Sequence, residues 1–275
     1  MKAKILIVLV LSLSSCSAIS IGYGYLDKII LNRLDNYLDL NNTQEKEAKI
    51  VIKALTTWHK KHEIPAYLAY LTQMQEHLKK NNVDQGLVYA FGQYQVLRDR
   101  LLQKMVSNLA PFIFRASKKQ QAHFFETLKE EDDYLVEYLA LSDSEKEEKK
   151  AKEQLKTLTQ WLGEITLAQK NDYILFLKSV PDLEALRLQY HHDNQKIIQQ
   201  FLQNPKNNEK KFIDRVISLR TPNPQQRHDY NKKWALVTTQ YFNFFKHFLG
   251  NLSPRQRGHF ISEIEDLKLD LKAIN

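Results

Sequence analysis

The sequence predicts an all-α protein: a multi-helix bundle of about ten helices following a cleaved lipoprotein signal peptide. Three observations predict it. Seven glycines and seven prolines are few for 275 residues, and Lys, Glu, Gln and Leu, which favour helices, dominate the composition. Apolar residues recur at three and four: Leu26, Ile30, Leu34, Tyr37; Ile52, Leu55, His59; Leu87, Phe91, Tyr94, Leu97, Leu101; Leu155, Leu158, Leu162; Trp234, Val237, Tyr241, Phe245, Phe248. No segment sustains the period-two alternation of a half-buried strand. With 43% apolar residues, the chain after its leader fills one large domain or two small ones.

Taken in order, the first element is the leader. Met1-Lys2-Ala3-Lys4 is a basic start, Ile5 to Leu13 is an apolar run too short to span a bilayer, and Leu13-Ser14-Ser15-Cys16 sets small residues before a cysteine. Residues 1–15 therefore read as a bacterial lipoprotein signal peptide. Cys16, the only cysteine, is the expected lipidation site. One acyl chain binds only marginally, whereas three, at about 0.8 kcal/mol per buried methylene, anchor a protein to the membrane. Residues 16–24 are expected to form the acylated cysteine and tether, and 25–275 an all-α periplasmic domain with a sub-lobe boundary near 220–225. In lipoproteins that resemble this chain, Asp after the cysteine implies retention at the inner membrane; Ser17 stands there instead, so the expected address is the periplasmic face of the outer membrane.

An acylated Cys16 leaves neither a disulfide nor a thiol, which excludes thiolate chemistry and leaves stability to packing. Removing Lys2 and Lys4 with the leader takes the formal charge from +8 to +6. That modest excess favours anionic headgroups or acidic partners; nucleic acid is not an expected partner in that compartment.

Five capping boxes mark helix starts: Asn41-x-x-Gln44, Ser117-x-x-Gln120, Ser142-x-x-Glu145, Thr166-x-x-Gln169 and Ser253-Pro254-x-Gln256. In each, the first side chain accepts from the N3 amide and Gln or Glu reaches back to the cap's own amide. Leu40, Ala116, Leu141, Ile165 and Leu252 precede them, but the N4 residues are polar, so these are not hydrophobic staples. Successive boxes lie 76, 25, 24 and 87 residues apart, which argues against a solenoid of equal repeats. Pro65, Pro111, Pro181, Pro205, the Thr221-Pro222-Asn223-Pro224 turn, Gly163 and Gly250 are the expected breaks. The run Glu130-Glu131-Asp132-Asp133 reads as a helix N-terminus favoured by the macrodipole. Ser142 to Lys156 reads as an exposed helix paired through Glu145/Lys149 and Glu148/Lys152.

The boxes resemble the Leu-Thr-x-x-Gln motif of Spy/CpxP-like periplasmic chaperones, a few residues at a time. A wider resemblance, over nearly the whole mature chain, is to a family of proteobacterial lipoproteins with no assigned function. Its carriers are Cys16, Leu34-Asp35-x-Tyr37-Leu38-Asp39-Leu40, Trp58-His59-x-x-x-Glu63-Ile64-Pro65-x-Tyr67, Trp161-Leu162-Gly163, Arg220-Thr221-Pro222 and Leu252-Ser253-Pro254-x-Gln256-Arg257. This resemblance implies a helical envelope protein and supplies no activity.

Among chemical constellations, His59, His62 and Glu63 share one helix stretch, a geometry a metal can use if a further ligand converges. They lack the spacing of the zinc-protease helix. The structural alternative is a corner in which Trp58 packs, Glu63 pairs with His59 and Pro65 re-aims the chain. His191-His192-Asp193 reads as a solvated face, because adjacent helix positions diverge. Neither a Gly-rich phosphate loop nor a GxSxG elbow occurs. Tyr241, Phe242, Phe245 and Phe248 are candidate binding residues or core, with Tyr241, Phe245 and Phe248 on one face and Phe242 turned away. The expected function is non-enzymatic, a membrane-anchored binding, scaffold or chaperone-like envelope factor for a protein partner or unfolded clients, with no cofactor and no metal. The alternative is a metal-dependent hydrolase centred on His59, His62 and Glu63.

Overall fold

The capping boxes set the helix starts, and the structure, a computed structural model, describes residues 22–204, 206–219 and 228–274. The signal peptide, Cys16, Pro205, the 221–224 turn and the expected boundary near 220–225 lie outside those residues. Among the described residues eleven α-helices of ten residues or more follow in order: α1 (Leu26–Leu38), α2 (Asn42–Trp58), α3 (Ile64–Lys79), α4 (Val83–Phe114), α5 (Lys118–Ala140), α6 (Asp143–Leu162), α7 (Leu167–Ser179), α8 (Glu184–Gln203), α9 (Glu209–Ser218), α10 (His228–Gly250) and α11 (Pro254–Ile274). A π-helical turn, His59–Glu63, joins α2 to α3. No strand occurs among the described residues.

All five boxes close. Asn41, Ser117, Ser142 and Thr166 each accept from the N3 amide while the N3 side chain takes the cap N–H. Ser253 and Gln256 do the same at 3.0 and 3.2 Å. Each box satisfies two amide groups that a helix start otherwise leaves unpaired, which is why the starts are so legible.

Two expected breaks do not occur where the prolines stand. Pro65 falls just inside α3 after the π turn, in which the Ile64 N–H bonds back five residues to the His59 carbonyl. The wider turn lets the helix continue through a residue that has no N–H and whose ring crowds the preceding turn. Pro111 is buried within α4, which runs on to Phe114 before stopping. The acidic run 130–133 lies deep inside α5 rather than at a helix start; a run of carboxylates favours an N-terminus but cannot create one without a cap. The ion pairs of α6 also differ from the i,i+4 expectation. Lys146 approaches Asp143 and Glu147 reaches Lys178 of α7, because the Glu145 carboxylate is taken by the Ser142 amide and hydroxyl.

The long α4 packs against α3 and α10 and also against α2 and α9. Around it two units are built alike. The first buries Leu34 and Leu38 of α1, Ala48 and Ile52 of α2, Phe112 and Ala116 at the end of α4, and Phe124 of α5. The second buries Leu158 and Leu162 of α6, Tyr173 and Leu177 of α7, and Phe248 and Leu252 at the end of α10, with Phe260 of α11 packed against them. Position by position the two sets correspond, so the cores are variants of one four-helix pattern. A third cluster, with Ile64 and Leu71 of α3 against Ile264 and Leu271 of α11, joins α3 to the second unit. Phe212 of α9 closes a fourth against Val106 and Ala110 of α4.

Candidate functional site

The π turn places its side chains on different sides of the helix. The His59 ring sits between two phenols, with Nδ1 3.0 Å from the Tyr23 hydroxyl and Nε2 3.5 Å from that of Tyr67. Burial pushes the His59 pKa down, against a smaller opposing effect of the Glu63 charge, so the neutral imidazole is favoured. Burial likewise pushes the Tyr67 phenol up, with the Glu63 charge adding to it. Glu63 is completely buried and gripped by Arg100 of α4, whose Nε and Nη2 lie 2.7 and 2.9 Å from its two oxygens. His62 turns outward toward the Trp58 ring, and the Lys104 ammonium stands 5.5 Å from that indole.

The three residues of the hydrolase alternative thus face separate partners. Among the described residues, no group of three or more His, Cys, Asp and Glu side chains is placed to hold a metal ion. Glu63 pairs with Arg100 instead of His59, because the π turn aims it inward at α4. Tyr23 belongs to the stretch expected to be tether, yet residues 22–24 form a helical turn and the Tyr23 ring lies against His59.

The capping glutamines do more than cap. Gln120 Nε2 donates to Gln44 Oε1 at 2.7 Å, Gln44 Nε2 donates back to Gln120 Oε1 at 3.3 Å, and Gln120 Nε2 also reaches the Asp39 carbonyl at 3.1 Å. In the second unit Gln256 Nε2 donates to Gln169 Oε1 at 2.8 Å, receives the reciprocal bond at 3.2 Å, and reaches the Glu164 carbonyl at 2.8 Å. Beside the first clasp His123 Nε2 lies 3.0 Å from the Asn36 carbonyl of α1; beside the second His259 Nε2 lies 3.0 Å from the Gln160 carbonyl of α6. The loops entering the clasps match as well, since Asp39 and Gly163, capping α1 and α6, both take positive φ (49° and 74°). A Cβ at Gly163 would also stand 3.3 Å from the His259 ring, closer than ordinary van der Waals contact.

The signal for this pairing is present in the sequence as Ser117-x-x-Gln120-x-x-His123-Phe124 and Ser253-x-x-Gln256-x-x-His259-Phe260. Reading the boxes as one consecutive series hides it. Ser142-x-x-Glu145 is the unpaired box, exposed and outside both clasps.

The aromatic group of α10 meets α7. Phe244 stacks on Phe176 with ring centroids 4.1 Å apart, Tyr241 meets Phe176 edge-on at 4.9 Å, and Phe245 and Phe248 flank Tyr173. Phe242 leaves this face and packs edge-on against Phe91 of α4. These rings fill the joint between helices. Exposed apolar side chains stand nearby at Leu167 and Leu175 of α7 and at Trp234 and Leu236 of α10.

His191 and His192 do not form a solvated face. The His191 Nδ1 lies 2.6 Å from the buried Asp132 carboxylate, His192 Nε2 lies 3.9 Å from it, and Gln195 donates to it at 3.0 Å. Asp132 comes from the acidic run of α5, so both misread motifs are halves of one joint between α5 and α8. Lys268 of α11 makes the corresponding buried joint to α3, donating to Gln75 at 3.0 Å and also to Glu265 of its own helix at 2.8 Å.

A family model described as a family of unknown function, DUF6279, matches residues 36–231. The chain belongs to that family. No curated protein and no solved structure matches it. The DUF6279 span contains the whole first clasp, the π turn with its Arg100 partner, and the Thr166 box of the second clasp, while Ser253 and Gln256 lie beyond it.

Proposed function

We propose that this DUF6279 protein is a lipid-anchored envelope factor, acylated on Cys16 and facing the periplasm from the outer membrane, that works by binding a protein partner or unfolded clients and not by catalysis. One observation carries the non-enzymatic reading. Apart from the exposed His62, the side chains singled out for chemistry are committed to joints between helices: Glu63 to Arg100, His59 to Tyr23 and Tyr67, His191 to Asp132, His123 and His259 to backbone carbonyls. A scaffold uses polar groups in this way, since a satisfied buried network fixes how helices meet. The anchor rests on Leu13-Ser14-Ser15-Cys16, and the chaperone-like form of the reading rests on the capping boxes alone.

The test combines two measurements on the full chain in intact cells. Palmitate labelling that disappears in Cys16→Ser supports the anchor, and unlabelled wild-type protein removes it. A photoreactive residue at the exposed Leu175 reads the binding role. Capture of one dominant envelope protein supports a scaffold, a broad set of unfolded clients supports a chaperone, and the absence of protein adducts defeats binding through this face.

A further inference from the structure

The outer side of α2 carries an apolar seam among lysines. Ile50 is 73% exposed, Ala54 and Thr57 are exposed, and Trp58 is half-buried. Lys49, Lys53 and Lys61 line the same shallow depression. Lys49 is paired with Glu45 and Lys53 with Asp27, while the adjoining Lys60 and the Lys104 that covers Trp58 add positive charge. Where the chain enters the body decides what this seam meets. Tyr23 is bound to His59, the residue after Trp58, so the polypeptide arrives at the same end of α2. The stretch from Cys16 to Gly22 reaches at most about 20 Å when fully extended. An acylated Cys16 therefore holds Gly22, the residue before the Tyr23 that is bound to this end of α2, within about 20 Å of the lipid.

We infer that the α2 seam docks on the anionic phospholipid surface to which the chain is tethered, with Ile50 and Trp58 at headgroup level and Lys53, Lys60 and Lys61 against lipid phosphates. Trp and Lys suit that depth, the one being apolar with a polar N–H and the other a long stem with a charged tip. Each lysine near an anionic leaflet contributes about 1 kcal/mol, or roughly fivefold in partition. Docking gives the tethered body a fixed orientation, with α7 and the exposed part of α10 left for other contacts. The inference rests on the proposed anchor for its geometry and on the seam for its chemistry.

The experiment uses the full chain with an environment-sensitive fluorophore at Ile50→Cys, and separately at Leu175→Cys. Each is mixed with phosphatidylethanolamine vesicles made with or without phosphatidylglycerol, and the mass of the N-terminal peptide reports acylation. The expected result is a blue shift at position 50 only with phosphatidylglycerol, reversed by high salt. Lys53→Gln/Lys60→Gln/Lys61→Gln should weaken it by about a hundredfold in lipid concentration, with position 175 unchanged throughout. An acylated chain whose position 50 stays in water overturns docking and leaves the anchor standing. A chain found unacylated removes the anchor, and a shift at position 50 on anionic vesicles that persists when Cys16→Ser leaves Ile50→Cys as the one labelled thiol supports the seam. A shift of equal size at position 175, or one that ignores phosphatidylglycerol, defeats a specific charged face.

Discussion

His59 holds a proton less readily in the folded chain than a free imidazole, because burial disfavours its charged form. The unfolded side chain titrates near about 6.5. As pH falls through that value the unfolded state takes up a proton that the folded state refuses, so stability falls until the folded pKa is passed. His59→Gln is expected to lessen this loss, seen as closer urea midpoints at about pH 8 and about pH 5.5 than in the parent. Glu63 is fully buried, and its carboxylate is paired with Arg100. Arg100→Ala is expected to cost about 3 kcal/mol, and adding Glu63→Met to recover much of it, because the cost is that of an unpaired buried carboxylate. Equal destabilisation in single and double variants, measured by urea unfolding, would refute that account. Trp58, His59 and Glu63 stood out in the sequence, but their partners did not. Tyr23 and Arg100 meet them only through the fold, and an i,i+4 reading looks along one regular helix, whereas the π turn changes which way Glu63 points.

Helix starts were the most legible level, since a capping box is a contact between residues three apart and is encoded locally. What lies beyond a cap was not. Gln44 looks the same in sequence whether its amide meets water or Gln120. The chemistry separates the two situations experimentally. In Gln120→Glu a carboxylate, which only accepts, would face the Gln44 oxygen and the Asp39 carbonyl, and a loss of about 2–3 kcal/mol is expected. Glu145→Gln, in the exposed solitary box, should change stability by no more than about 0.5 kcal/mol. Thermal or urea denaturation of the pair checks the contrast. The same limit explains the acidic run and the histidine pair: each was read as a feature of its own helix, and a joint between α5 and α8 needs both at once.

The two units meet through α4 and through the continuous path from α2 into α3, while their clasps share no residue. Gln120→Ala and Gln256→Ala are therefore expected to add within about 0.5 kcal/mol in a single unfolding transition; separate transitions would mean that the units melt independently. An all-α bundle followed from periodicity and composition, but its doubling did not. The equivalent core positions differ in kind, Ala48 in one unit standing where Tyr173 stands in the other, and unequal spacing between boxes disguised the pairing. The π turn sits where α2 of the first unit becomes α3, which packs on the second. It holds one residue more than an α-helical turn allows, and each residue of helix corresponds to about 100° of rotation. Deleting Lys60 to restore regular winding would swing Ile64 and Leu71 away from α11, so a single residue of helical phase sets the side on which one half of the molecule meets the other.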